Sequence, residues 1–144
     1  MQIRKYEKRD VAAILKTWES ATRLAHPFLE EDFLAQERRN IPELYLPNAE
    51  TWVAEVDGEV VGFIALIANE IGGLFVEPSH YGRGIGRALV DKAHSENETL
   101  EVEVFSKNSI GRRFYTRYGF VKMEEKIHQP TGQNVLRLKF TAGV

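Results

Sequence analysis

One segment narrows the possible folds more than any other: Leu74-Phe75-Val76-Glu77-Pro78-Ser79-His80-Tyr81-Gly82-Arg83-Gly84-Ile85-Gly86-Arg87-Ala88-Leu89-Val90. An apolar run stops at Glu77-Pro78, three glycines follow at alternate positions, and Ile85, Leu89 and Ala93 then recur on one helical stripe. The pattern predicts a strand feeding a helix through a tight glycine loop. Without Cβ atoms, such a loop turns sharply and brings its backbone close to a ligand. Its N–H groups converge at a helix N-terminus, where partial positive charge favours an anion. With Arg83 and Arg87 beside it, the loop suits a phosphate or pyrophosphate. A plainer reading stands next to this one, in which the glycines serve only the connection. Neither nucleotide template fits. A Walker A loop needs Lys and Ser/Thr after its last glycine, whereas Arg87 and Ala88 follow Gly86. The dinucleotide fingerprint needs a third glycine three positions after the second, where Arg87 or Leu89 stands.

The flanking elements predict a mixed sheet. Ile3–Tyr6 reads as a short strand, and Asp10 as the N-cap of a helix with Val11, Ile14, Leu15 and Trp18 on one face. Pro27 ends that helix at His26. A second helix is expected from Glu30 to Arg39, followed by a loop that Pro42 and Pro47 bracket. Thr51–Val56 and Val60–Ile67 flank Asp57-Gly58, a strong hairpin signal, and the second run is apolar enough for a strand buried on both faces. Ile71–Val76 is a further strand, and Leu100–Val104 alternates as a half-buried one. Asn108 and Gly119 bound the last helix, with Ile110, Phe114 and Tyr118 on one stripe. Phe120–Ile127 and Val135–Phe140 complete the order β-α-α-β-β-β-α-β-α-β-β. This is an α/β (α+β) arrangement with helices on the faces of a mixed sheet.

Composition removes several function classes. Hydrophobic residues at 43% and charged residues at 28% are those of an ordinary globular chain, and 144 residues suit one domain over 1–144. With no cysteine, a disulfide scaffold, a cysteine-ligated metal and a cysteine nucleophile are all excluded. The charged start Met1–Glu7 and the lack of a long apolar run point to a cytoplasmic protein with no membrane role. The net charge of -2 argues against general nucleic-acid binding. It hides an asymmetry, because residues 81–122 hold eight basic against five acidic side chains. A locally basic segment can still meet a small anion.

Downstream lies Asn108-Ser109-Ile110-Gly111-Arg112-Arg113-Phe114-Tyr115-Thr116-Arg117-Tyr118-Gly119-Phe120. Together, the glycine loop and this block resemble the GCN5-related N-acetyltransferase (GNAT) superfamily. The loop matches its Gln/Arg-x-x-Gly-x-Gly/Ala form, and the spacing of Asn108, Tyr115, Gly119 and Phe120 matches its later motif. The two blocks span about residues 71–122, and the element order fits over nearly the whole chain. The loop departs from the pattern at its first position, where Tyr81 replaces Gln or Arg.

The resemblance implies a GNAT fold, with six to seven strands, four helices and two splayed central strands. It implies acetyl-CoA as cosubstrate, held in the splay by the backbone of Leu74, Phe75 and Val76. The loop Tyr81, Gly82, Arg83, Gly84, Ile85, Gly86 and Arg87 would take the pyrophosphate, and Asn108 the pantetheine arm. Gly111 would leave room for the cofactor. Tyr115 matches the family's general acid and cofactor contact, and it lies off the Ile110–Phe114–Tyr118 stripe rather than on it. Glu103 matches the base position of members that acetylate protein N-termini, with a solvated strand face as its alternative and Glu70 a weaker candidate. His26 falls where the family builds its acceptor wall, though a lone histidine beside proline is more often a structural loop residue. His80 and His128 suit the surface, and no histidine spacing suggests a metal. The expected activity is direct acetyl transfer to a primary amine: a protein lysine, a protein N-terminus or a small molecule. A non-catalytic acetyl-CoA sensor is the rival reading. A strand edge near the C-terminus leaves room for a homodimer.

Overall fold

The computed structural model describes residues 1–143. Seven strands form one sheet in the order β1-β2-β3-β4-β5-β7-β6. They are β1 (Gln2–Lys5), β2 (Glu50–Val56), β3 (Glu59–Ile67), β4 (Glu70–Val76), β5 (Thr99–Phe105), β6 (Val121–His128) and β7 (Gln133–Thr141). Every pairing is antiparallel except β4 with β5. The helices are α1 (Val11–Ala25), α2 (Glu31–Asn40), α3 (Ile85–Glu96) and α4 (Ser109–Tyr118). No helix among the described residues is long and apolar enough to cross a membrane.

Asp57 and Gly58 both take positive φ, the tight-hairpin geometry in which Val56 pairs with Glu59. α1 and α2 cover one face of the sheet, packing Ile14, Trp18 and Leu34 against Val53 and Phe63. α3 and α4 cover the other, where Leu89, Val90 and Tyr115 meet Ile64, Leu100 and Val102. Leu100, Val102 and Val104 of β5 are buried while the residues between them are half-buried, as the alternation predicts.

Two local expectations give way to tertiary context. Asp10 is buried but does not cap α1. Its carboxylate accepts both Arg4 guanidinium N–H groups at 2.9 Å and the Glu7 N–H at 2.8 Å, which ties β1 to the turn before α1. The expected loop after α2 is also absent. The rod continues through a wide turn at Ile41–Tyr45 to a last turn at Leu46–Asn48. Pro42 lacks an N–H and its ring crowds the preceding turn, and widening to an i→i−5 bond, Leu46 N–H to Ile41 O, relieves both.

The sheet opens where the site lies. β4 and β5 pair only at Glu70–Glu101 and Ile71–Val102 and then diverge. From Gly73 to Val76, β4 pairs with β3 alone, so its other backbone edge faces the gap.

Candidate active site

Two cavities occupy the splay, one toward α3 and α4, the other toward α1 and α2. The first, of about 610 Å³, is lined by Leu74, Phe75, Val76, the glycine loop and the facing side of α4. The second, of about 290 Å³, is lined by Phe33, Glu37, Glu70, Glu103 and Phe105 among others. His26, Leu74, Phe75, Asn108 and Tyr115 line both and form the neck between them.

The loop has the geometry for an anion. Gly82 and Gly84 have φ near +79° and +78°, and no neighbour would meet a Cβ at either, so glycine is required there by backbone conformation alone. Gly84 is the N-cap of α3, no side chain caps the helix, and the first N–H to find a backbone acceptor is that of Ala88, on Gly84 O. Among the described residues, the N–H groups from Gly82 to Arg87 are therefore unpaired and clustered at a helix N-terminus. A pyrophosphate fits this cradle. Tyr81 lines the cavity, bonded through its own N–H to Pro78 O, and brings no formal charge.

α4 is set by its first residue. Asn108 Oδ1 accepts the Gly111 N–H at 2.8 Å, which caps the helix and orients the amide so that Nδ2 donates to His26 Nε2 at 3.0 Å. This bond joins the end of α1 to the start of α4 across the splay and places the His26 proton on Nδ1. Gly111 has a role other than the expected one: a Cβ there would stand 2.6 Å from Asn108 Nδ2 and 3.2 Å from Val104 Cγ2, so its space belongs to the cap.

His26 packs between Phe28 and Phe105, with ring centroids at 5.7 and 5.1 Å. Burial among these rings disfavours the imidazolium and pushes its pKa down to about 4.

Tyr115 reverses an expectation. Its side chain, not that of Phe114, is the buried one of α4, packed 5.3 Å from Phe114 and 5.1 Å from Phe120 between ring centroids. α4 stands over the opening of the sheet, so the residue facing the gap joins the core while Phe114 seals α4 against α3. The Tyr115 hydroxyl has no hydrogen-bond partner among the described residues, and burial pushes the phenol up, well beyond its usual range.

Glu103 reaches the second cavity, but not as a free carboxylate. It accepts Lys126 Nζ at 2.7 Å and Arg137 Nη1 at 3.2 Å. Burial raises its pKa, yet the two cations outweigh burial and hold the carboxyl below its usual value. Arg137 also binds Glu70 and Glu101, so the expected solvated face is an ion-pair network. Glu37, from α2, faces the same cavity and accepts from the Tyr45 hydroxyl.

Sequence reasoning missed Arg113 and Arg117, which line the larger cavity, and Glu37 in the smaller one. The spacing of four between the two arginines put them on one face of α4, the signal that was present.

Residues 47–122 match the family model described as "Acetyltransferase (GNAT) domain". The chain is 33% identical over 119 residues to the peptidyl-lysine N-acetyltransferase YiaC of Escherichia coli (strain K12), covering 82% of each. It is 30% identical over 121 residues to the peptidyl-lysine N-acetyltransferase YjaB of Salmonella typhimurium, covering 83% of each. The solution structure of apo-form YjaB from Escherichia coli matches with a TM-score of 0.87 at 25% identity, over 99% of this chain and 98% of that one. A Thermoplasma acidophilum paia N-acetyltransferase solved in complex with coenzyme A shares the fold, with a TM-score of 0.77 at 19% identity, over 96% and 98% of the two chains. These relatives do not favour the sensor reading. With a sheet that splays at the parallel β4–β5 pair, an N–H cradle at its glycine loop and a family model matched over both motif blocks, the chain belongs to the GNAT family of acyltransferases.

Proposed function

We propose that the protein transfers an acetyl group from acetyl-CoA directly to a primary amine, with the side chain of a protein lysine as the acceptor class. The observation that carries this reading is the meeting of two unlike cavities at Tyr115: one has an anion cradle, the other carboxylates. The peptidyl-lysine names of the relatives support the acceptor class.

The gap-side backbone of β4, the N–H row from Gly82 to Arg87 and the Asn108 amide are the groups that would hold the cosubstrate. Bound acetyl-CoA supplies an acetyl thioester, an acyl donor already activated. The chain has no cysteine, so an acetyl-cysteine intermediate is excluded and transfer is read as direct. The Tyr115 hydroxyl, kept protonated by burial and without a hydrogen-bond partner among the described residues, donates a hydrogen bond or a proton at the neck, where a leaving thiolate needs one. On the acceptor side, Glu37, Glu70 and Glu103 attract an ammonium, while Phe33 and Phe105 suit an aliphatic stem. An amine with a pKa of about 10.4 must then lose its proton, which costs about 4.6 kcal/mol at pH 7. Glu103 sits where a base is wanted, but with its proton affinity lowered by Lys126 and Arg137 it steers the ammonium, and water takes the proton.

The test is a panel of lysine peptides, peptides with only a free α-amine, and small amines, scored by CoA release and product mass. Turnover is expected with lysine peptides. Tyr115→Phe should keep acetyl-CoA affinity and lower kcat by about 10²-fold or more. Turnover confined to α-amines or small amines would overturn the acceptor class. Binding of acetyl-CoA without turnover on any amine would overturn the activity.

A further inference from the structure

Seven of the eleven arginines donate to a protein acceptor: Arg4, Arg9, Arg23, Arg38, Arg39, Arg112 and Arg137. Among the described residues, Arg83, Arg87, Arg113 and Arg117 find no acceptor, and all four lie in the glycine loop or on the wall of the larger cavity. That cavity is lined by Arg87, Arg113 and Arg117 and by no carboxylate. Arg113 and Arg117 stand one turn apart on α4, where like charges repel, so their pairing does nothing for the helix. From this geometry we infer that Arg113 and Arg117 form a second anion subsite, which takes the 3′-phosphate of coenzyme A and discriminates against 3′-dephospho-CoA. The inference rests on the acetyl-CoA reading above.

Charge matching separates this subsite from the loop. A pyrophosphate carries two charges, and the N–H row with Arg83 and Arg87 answers them. Coenzyme A has a third phosphate, a ribose monoester close to doubly ionised at neutral pH. Planar guanidinium forks are suited to such a group, which accepts through several oxygens. The packing of α3 on α4 brings the two basic walls onto one cavity. A Cβ at Gly86 would stand 3.0 Å from the Phe114 ring, the Arg87 guanidinium lies 5.3 Å from the centroid of Tyr118, and the Tyr118 hydroxyl donates to Asp91 at 2.6 Å. Tyr118 is thereby held between Arg87 and Asp91, both on α3, and α4 presents Arg113 and Arg117 on the wall across from the loop.

Isothermal titration of the whole protein with CoA and with 3′-dephospho-CoA tests the assignment without any turnover. The parent should bind CoA about tenfold more tightly than the dephospho form, the size expected from charge-assisted hydrogen bonds. The gap should narrow as salt is raised. The double variant Arg113→Ala/Arg117→Ala should close the gap while binding 3′-dephospho-CoA as the parent does. Both positions are exposed, so its unfolding midpoint should match the parent's, and Arg113→Gln/Arg117→Gln serves if the alanine pair does not fold. Equal affinity of the parent for the two nucleotides overturns the inference and leaves the acetyl-CoA reading standing. A gap that survives in the double variant overturns the assignment to these residues. If the parent binds neither nucleotide, the acetyl-CoA reading fails and this inference fails with it.

Discussion

Burial acts on three side chains at the site with different results, because each has different partners. His26 has only rings and an amide around it, so nothing offsets the cost of charging it, and its pKa falls to about 4. In the folded state the proton is refused between pH 6.5 and 4, whereas an unfolded histidine takes it up over that range. Stability from this group is thus complete above about pH 6.5 and is lost as pH falls toward 4. Urea unfolding at a series of pH values should show the margin of the parent over His26→Gln shrinking across that window. Glu103 is different, since two cations more than repay its burial. Glu103→Gln should raise KM for a cationic peptide more than it lowers kcat. A fall in kcat of about 10²-fold or more would instead assign it the proton step. The identity of Tyr115 and its distance from Asn108 were legible in the sequence. That its ring is the core contact of α4 was not, because periodicity says which residues share a face and not which face the core takes.

At the scale of elements, the strands, the hairpin and the glycine loop followed from local chemistry that no distant contact overrides. Gly84 needs φ of +78°, which any L-residue resists, and nothing would touch its Cβ. Gly84→Ala should therefore cost about 1 kcal/mol, read from urea unfolding, with strain as the whole cause. Gly111 has ordinary helical geometry, and its Cβ would push against Asn108 from 2.6 Å. Gly111→Ala should cost more, and it should also weaken the link from Asn108 to His26. The end of α2 was misread for the opposite reason. Proline forbids an ordinary turn, but Ile41 and Leu46 are both buried against α1 and β3 neighbours, and that burial favours a wide turn over a break.

At the scale of the molecule, one sheet separates two apolar layers, and each layer contains one tryptophan: Trp18 with α1 and α2, Trp52 with α3. The layers share every central strand, so neither can melt alone. Fluorescence of Trp18→Phe and Trp52→Phe variants should report the same unfolding midpoint relative to their own circular dichroism. Leu89→Ala, at a fully buried site of the α3 layer, should destabilise both probes together by about 2–5 kcal/mol. Separate transitions in the two variants would show that the layers are independent.

The sequence by itself determined the order of elements, the glycine loop with its caps, and the motif pair that marks the family. Each of these is read from residues within a turn or two of one another, the motif pair from two such blocks in order. Tertiary structure alone decided which carboxylates face the smaller cavity, that Arg137 gathers Glu70, Glu101 and Glu103, that His26 meets Asn108 from 82 positions away, and that four arginines find no protein acceptor among the described residues. Those relations depend on where β4 and β5 stop pairing, and a splay between strands is set by packing on both faces, which no local pattern encodes.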